Sequence, residues 1–308
     1  MSGLPVGVAI ADGLPWQQLR IVTPLGIRFR DIALETAVTT GLAVQVKARD
    51  LSGPPIPLAP NPSGVFGFHG LPGLHDMEYP TFPERALASP PSSATFVVMV
   101  ADRLSRFLPA VFGVELPAPA IPSPPTFDAD PDPAPLLDAF VFTAPTRPVT
   151  CGLAAVRADL WDIDARQPAA HARVRVTVGD RMRTGVADER GRFLVLVPWP
   201  LLEQLRLGSP PGTAQLPPFE QTWPVSLDVW YRPGLPRPFE PEAVLPEPWM
   251  FVPGLKGILE HPDRAFIWAA PGGPPLVTWT GDITYDHELI LRTQTVSELW
   301  ISRGTSPP

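Results

Sequence analysis

The residues able to do chemistry are few and scattered. The five histidines, His69, His75, His171, His261 and His287, form neither a His-x-His pair nor the His-Glu-x-x-His helix motif that holds zinc. A closed zinc site would need ligands gathered from separate loops, and solvated or core-edge histidines account for this spacing. The single cysteine, Cys151, sits beside Gly152 with no neighbouring His or Lys to lower its pKa. No Gly-x-Ser-x-Gly elbow and no Walker loop occurs. Asp128-Ala129-Asp130-Pro131-Asp132 opens like a calcium loop, but the sixth and twelfth positions, where Gly and Glu are needed, hold Pro133 and Ala139. It reads as a solvated acidic linker. Glu240, Glu242 and Glu247 lie in a proline-rich stretch, and a carboxylate pair for glycoside chemistry would have to come from distant strands. The sequence therefore assigns no catalytic residue, no cofactor and no metal ligand, and the expectation is a protein that is not an enzyme.

Tryptophan is more informative. Of nine, eight lie at or after Trp161. Trp249, Trp268 and Trp279 fall in or beside proline- and glycine-rich segments. Such rings fill a core under a long loop, anchor a protein interface, or stack on a ligand such as a sugar. The interface candidates are Trp16, Trp249, Phe251, Trp268 and Trp279.

The elements that must position these residues follow from composition. Proline supplies 45 of 308 residues, about three times the usual ~5%. Interior proline breaks helices and is confined to strand edges, starts and bulges. Short strands joined by long, stiff loops are expected. Length implies about two domains. A net charge of -7 lacks the basic face of a nucleic-acid binder. One cysteine allows no intrachain disulfide, which fits a reducing compartment or none in particular. The first basic residue is Arg20, so a charged signal-peptide start is missing, and no apolar run reaches the ~18 residues of a spanning helix. The expected location is the cytoplasm, with an assembled particle released by lysis, and no insertion into membrane.

Along the chain, 1–19 read as an extended arm, apolar and glycine-rich with little periodicity. Residues 20–116 form a first β-sandwich domain. Its strand candidates are 20–22, 26–29, 42–47, where period-2 alternation marks a half-buried strand, 65–68, 95–100 and 110–116. The near-continuous apolar run at 95–100 suits a strand buried on both faces. Residues 117–135, PAPAIPSPPTFDADPDPAP, form a proline-rich linker of polyproline-like stiffness. Residues 136–308 form a second β-sandwich domain carrying a long Pro/Trp-rich insertion at 232–280. Its strand candidates are 139–142, 154–161, 172–178, 191–198, 223–231, 285–293 and 296–301, with one short helix at 201–207. The fold class is mostly β: two antiparallel sandwich units with little helix.

The halves share an order of events. Arg30-Asp31 leads to Gly41-Leu42-Ala43-Val44-Gln45-Val46, then Ser63-Gly64-Val65-Phe66-Gly67-Phe68. Trp161-Asp162 leads to Ala172-Arg173-Val174-Arg175-Val176, then Arg190-Gly191-Arg192-Phe193-Leu194-Val195. Self-similarity of this kind marks repeated structural units.

Within the second half, Leu160-Trp161-Asp162, Ala172-Arg173-Val174-Arg175-Val176 and the segment from Thr184 through Asp188 and Gly191 to Phe193 resemble the carboxypeptidase regulatory-like, or transthyretin-like, β-sandwich domain. The resemblance covers 156–200 and the spacing from Thr184 to Asp188 is one residue longer than usual. It implies a structural or adhesive module. Intradiol dioxygenases use such a sandwich to hold iron through two Tyr and two His. Here Tyr285 and His287 would share a strand face, but that family's His-x-His pair is missing. The whole chain, through its paired units and the Gly70-Leu71-Pro72-Gly73 and Ala187-Asp188-Glu189-Arg190-Gly191 segments, resembles accessory structural proteins of phage-tail-like contractile injection systems.

The resulting expectation is a non-catalytic scaffold subunit of a large assembly, most plausibly a contractile injection system component. Its partners would be other protein subunits, not nucleic acid. The alternative is a carbohydrate- or cell-surface-binding sandwich module, and the remote alternative is a metal-dependent enzyme on a transthyretin-like fold.

Overall fold

The structure is a computed structural model, and it describes residues 23–49, 53–72, 74, 94–116, 136–201, 220–234, 249–260 and 263–305. The chain is mostly β. In the first unit the strands are β1 (Leu25–Asp31), β2 (Leu42–Ala48), β3 (Ile56–Leu58), β4 (Val65–Phe68), β5 (Ala94–Asp102), β6 (Ala110–Leu116) and β7 (Leu136–Val141). In the second they are β8 (Leu153–Asp162), β9 (Gln167–Pro168), β10 (Arg173–Val178), β11 (Arg181–Val186), β12 (Arg192–Pro198), β13 (Thr222–Trp230), β14 (Phe266–Trp268), β15 (Trp279–Thr284), β16 (Glu288–Ile290) and β17 (Leu299–Ser302). One short helix, α1 (Leu255–Leu259), follows a 3-10 turn at Trp249–Phe251.

Both units repeat one topology. In the first, sheet β4-β1-β7 faces sheet β3-β2-β5-β6, and β7 runs parallel to β1. In the second, β12, β8 and the pair β16/β17 make one sheet, with β16 and β17 parallel to β8. The other sheet is β11-β10-β13-β15. Each pair of sheets encloses its own apolar core, around Phe29, Phe66, Phe68 and Phe96 in the first unit and around Val156, Val174, Val176, Phe193 and Leu227 in the second.

The turns repeat as well. Asp188 Oδ1 accepts the backbone N–H groups of Arg190 and Arg192, both at 2.9 Å, and Gly191 follows at φ 78°. A Cβ on Gly191 would lie 2.4 Å from the Leu160 carbonyl oxygen, so glycine is required there. Before β4, Asn61 Oδ1 accepts the N–H groups of Ser63 and Val65 in the same way, and Gly64 has φ 77°. An amide or carboxylate that caps its own turn, followed by a left-handed glycine, starts β4 in the first unit and β12 in the second.

Several expected elements fall as read. The run at 95–100 is buried on both faces: Phe96, Val98 and Val100 point into the sandwich, and Val97 and Met99 are covered outside by Trp249 and Val252. Others differ. The boundary expected at 136 cuts off a strand of the first unit, because Leu136–Val141 pairs with β1 across a 110-residue separation. The strand expected at 285–293 is a turn at Tyr285 and Asp286 followed by β16, and the ladder strand beside β13 is β15. The span 232–280, expected as an insertion, supplies β14, the start of β15 and α1. The arm at 1–19, the linker at 117–135 and all but Leu201 of the helix at 201–207 lie outside the described residues.

The units meet through a buried ion pair. Asp31, at the end of β1, caps its turn by accepting Ala33 N–H at 2.8 Å, and its other oxygen accepts from Arg147 at 2.6 Å. Arg147 belongs to the short passage between units and lies over the Phe107 ring at 5.0 Å. Both side chains are less than a tenth exposed. The turn so fixed presses Ala33 onto Leu153, Ala155, Leu194 and Leu196 on the outer face of β8 and β12, and Arg183 donates to the Ala33 carbonyl at 3.1 Å. On the other side, 249–259 crosses the first unit, bridging Gly254 to Val111 of β6. Ile258 then packs with Phe142 and Val186, one from each unit.

Breaking a buried pair by removing one partner costs about 3–5 kcal/mol, because an uncompensated charge stays buried. Arg147→Met is therefore expected to lower stability by about that amount, and Asp31→Asn with Arg147→Met by clearly less than the sum of the two single changes. Urea denaturation of the four proteins of the cycle measures this; additive losses would show that the pair is not coupled.

Candidate functional site

The junction leaves a cavity of about 240 Å³. Leu108 and Phe142 line it from the first unit, Val186 and His171 from the second, and Phe251 and Ile258 from the segment that crosses between them. Its walls are apolar except where His171, Asp188 and Glu189 meet it. An apolar cavity of about 150 Å³ already admits benzene, so this one has room for a large aliphatic or aromatic side chain.

His171 sits in the turn before β10 with φ 58°, a left-handed conformation, and its N–H donates to the Asp188 carbonyl at 3.3 Å. Burial pushes the imidazole pKa below its ordinary value, against the opposing pull of the Glu189 and Asp188 charges. Asp188 is committed to its turn and to Arg192, whose guanidinium donates to Oδ2 at 2.9 and 2.8 Å. The site thus offers apolar surface and one largely neutral imidazole. It is suited to holding an apolar group.

The structure distributes the sequence candidates widely. Phe251 is 66% exposed on the rim of the cavity. Trp249 is half-buried against Val97, Met99 and Val111. Trp279 is half-buried against the second core, its ring closing over Gly281. Trp268 is fully buried, and its indole N–H donates to Ser302 Oγ at 2.7 Å, so it is a core residue with no surface to offer a partner. Trp16 lies outside the described residues. Only Trp249 and Phe251 come together, in one 3-10 turn.

Tyr285 and His287 do not share a strand face. They occupy a turn in which His287 Nδ1 lies 3.0 Å from the Tyr285 carbonyl, and Tyr285 packs against Trp199 and Trp223 at centroid distances of 5.2 and 6.2 Å. Those three rings tilt 43–57° to one another and do not form a flat platform. On the outer face of β10 and β13, Arg173 and Arg175 lie over Trp230 at 4.4 and 4.7 Å. Among the described residues, no three of His, Cys, Asp and Glu gather as a metal site would need. His171 was seen in the sequence only as one scattered histidine. Its role at the junction depends on Leu108 and Phe142 of the first unit, and the sequence pattern sets Phe142, with the 139–142 strand, in the second.

No family model matches the sequence. No curated protein matches it. Among solved structures, the shaft pilin SpaA from Lactobacillus rhamnosus GG is similar at 7% identity over 92% of this chain and 98% of that one, with a TM-score of 0.22. The minor pilin GBS52 from Streptococcus agalactiae is similar at 7% identity over 92% and 98%, with a TM-score of 0.22. At these scores the likeness carries no argument about function.

Because the folded His171 pKa lies below its unfolded value of about 6.5, the unfolded chain binds more protons between the two values. The neutral ring's contribution to stability is complete above about pH 6.5 and is lost progressively as the pH falls from there through the lower folded value. His171→Asn keeps the left-handed backbone, which Asn tolerates. Thermal melts at about pH 8 and about pH 5.5 are expected to show wild type losing ground to this variant at the lower pH. An unchanged gap would contradict the assignment.

Proposed function

We propose that the chain is a non-catalytic structural subunit of a multi-subunit protein assembly. The observation that carries this reading is the welded junction. A buried Asp31–Arg147 pair and the crossing segment 249–259 fix two sandwiches to each other, while the same segment presents Phe251 to solvent. A rigid double unit with an exposed aromatic on its connecting segment is what subunit-to-subunit contact requires: little ordering entropy is lost on binding, and an aromatic anchor is supplied.

The particular assembly we favour is a contractile injection system, or phage-tail-like particle. The support is the organisation of the sequence and its Gly70-Leu71-Pro72-Gly73 and Ala187-Asp188-Glu189-Arg190-Gly191 segments. We read the second unit as a carboxypeptidase regulatory-like sandwich on the strength of the Asp188–Gly191 turn. In this reading the protein is made in the cytoplasm and leaves as part of a released particle. A second reading, a carbohydrate- or cell-surface-binding module, draws on the half-exposed rings of Trp199, Trp223 and Tyr285, but their mutual tilt favours packing over stacking on a sugar.

Affinity capture of the full chain from its native host, followed by native mass spectrometry, is expected to recover it in a stoichiometric complex with other protein subunits. Recovery only as a lone monomer would overturn the proposal. Quenching of tryptophan fluorescence by oligosaccharides would favour the second reading instead.

A further inference from the structure

The strand β7 forms an open sheet edge among the described residues. Its inner side pairs with β1 from Gly26↔Leu136 to Asp31↔Val141. Its outer side, from Leu136 to Val141, has no strand beside it among the described residues. The pairing of the 106–108 loop begins only beyond it, at Phe107↔Thr143. Leu136, Leu137 and Phe140 are 48%, 38% and 40% exposed.

Natural sheets guard such edges with charge, proline, short length or a covering segment. Several other edges here are guarded. The strand β6 is crossed at Val111 by Gly254, and β14 exchanges hydrogen bonds with Leu276 at 2.7 and 2.8 Å. The edge strand β11 carries Arg181 and Arg183, and β3 is three residues long with Pro57 at its centre. The counterpart of β7 in the second unit, β16, has only three residues and includes Glu288, which pairs with Arg157. By contrast β7 has six residues and no proline or lysine, and its one charge, Asp138, is taken up by Arg28 and Arg30 on the sheet face.

An edge of this kind accepts an extended strand, with backbone bonds giving affinity and alternate side chains giving register. The sequence contains one suitable donor outside the described residues. The arm at 1–19 has little periodicity as a whole, but within it, between Pro5 and Asp12, the five residues Val6-Gly7-Val8-Ala9-Ile10 alternate branched apolar with small residues, the pattern of a strand with one face to bury. The segments 75–93, 117–135, 202–219 and 235–248 are each broken by four or more prolines.

We infer that the open edge of β7 binds the 6–10 strand of a second copy of this chain. The donor comes from another copy because of where the chain enters the sheet. Gly26 and Leu136 are register partners in a parallel pair, so the arm that leads into β1 and the linker that leads into β7 arrive at the same end. To reach the outer edge of β7, a chain's own arm would have to pass across its own linker, a crossing that natural connections avoid. A neighbour's arm meets no such obstacle. This inference rests on the structural-subunit reading and supplies that subunit with a self-assembly contact.

The test uses the full chain with Cys151→Ser, which removes the sole cysteine. One preparation carries Leu137→Cys. A second carries Val6→Cys, Val8→Cys or Ile10→Cys, three choices that cover neighbouring registers on one strand face. Mixed and oxidised, at least one pairing is expected to yield a disulfide-linked dimer of the two different chains, and Val8→Asp is expected to return the sedimentation of the unsubstituted chain to that of a monomer. Self-association that persists in Val8→Asp and gives no cross-link would overturn the inference while leaving the structural-subunit reading in place. Cross-linking found only when both cysteines are in one chain would show that the arm folds back and would overturn it too. A chain that sediments as a monomer at every concentration and gives no cross-link also overturns it, and the structural-subunit reading then stands or falls on capture from the host.

Discussion

The bond between Asp31 and Arg147 decides how the two sandwiches sit together. Asp31 would be needed even without Arg147, because its first oxygen closes the turn after β1. The equivalent residue in the second unit, Asp162, closes the turn after β8 in the same way, accepting the N–H groups of Asp164 and Ala165 at 2.9 and 3.1 Å. The units part company at the second oxygen. That of Asp31 receives the Arg147 guanidinium, whereas Asp162 Oδ2 is buried with no hydrogen-bond partner. One arginine therefore turns a repeated turn into a junction. With Asp31 held, Ala33 is pressed onto the outer face of β8 and β12, and that face is covered at 153–156 on both sides. The cavity at the junction is lined by the elements that these contacts hold together.

The comparison of the two units separates what the fold needs from what this protein does with it. Shared features are structural: the strand order, the strands that run parallel to β1 and to β8, and the self-capping turn with its left-handed glycine at Gly64 and Gly191. The differences lie in connections and sheet edges. The long connection between β13 and β15 supplies the crossing segment and β14, while the corresponding loop between β5 and β6 is short. The parallel strand is short in the second unit, three residues at β16, but six residues and mostly apolar in the first at β7.

Local chemistry made much of the fold legible in the sequence. Alternation identified β2 and β10, unbroken apolar character identified β5, and Asp188 with Gly191 announced the turn before β12. What failed did so for one reason: it depended on contacts distant in sequence. Prolines ending near 135 suggested a domain boundary at 136, yet the six residues that follow complete the first sheet by pairing with β1. Trp268 in a proline- and glycine-rich stretch looked available for contact. The strand β14 carries it into the core, where Ser302 satisfies its indole nitrogen. Arg147 and Asp31 are 116 residues apart, and nothing local to either marks them as partners. The cavity is assembled from three separate stretches, so no window of sequence contains it.

The structural role we propose needs a rigid double sandwich, since a subunit that bends at its middle transmits neither load nor register. Rigidity of this kind has a thermodynamic counterpart: two units sharing a buried ion pair and apolar contacts at their junction should unfold together. Differential scanning calorimetry of the full chain tests this most directly. A single transition whose calorimetric and van't Hoff enthalpies agree is the predicted result. Two separate transitions would contradict the claim that the sandwiches form one unit.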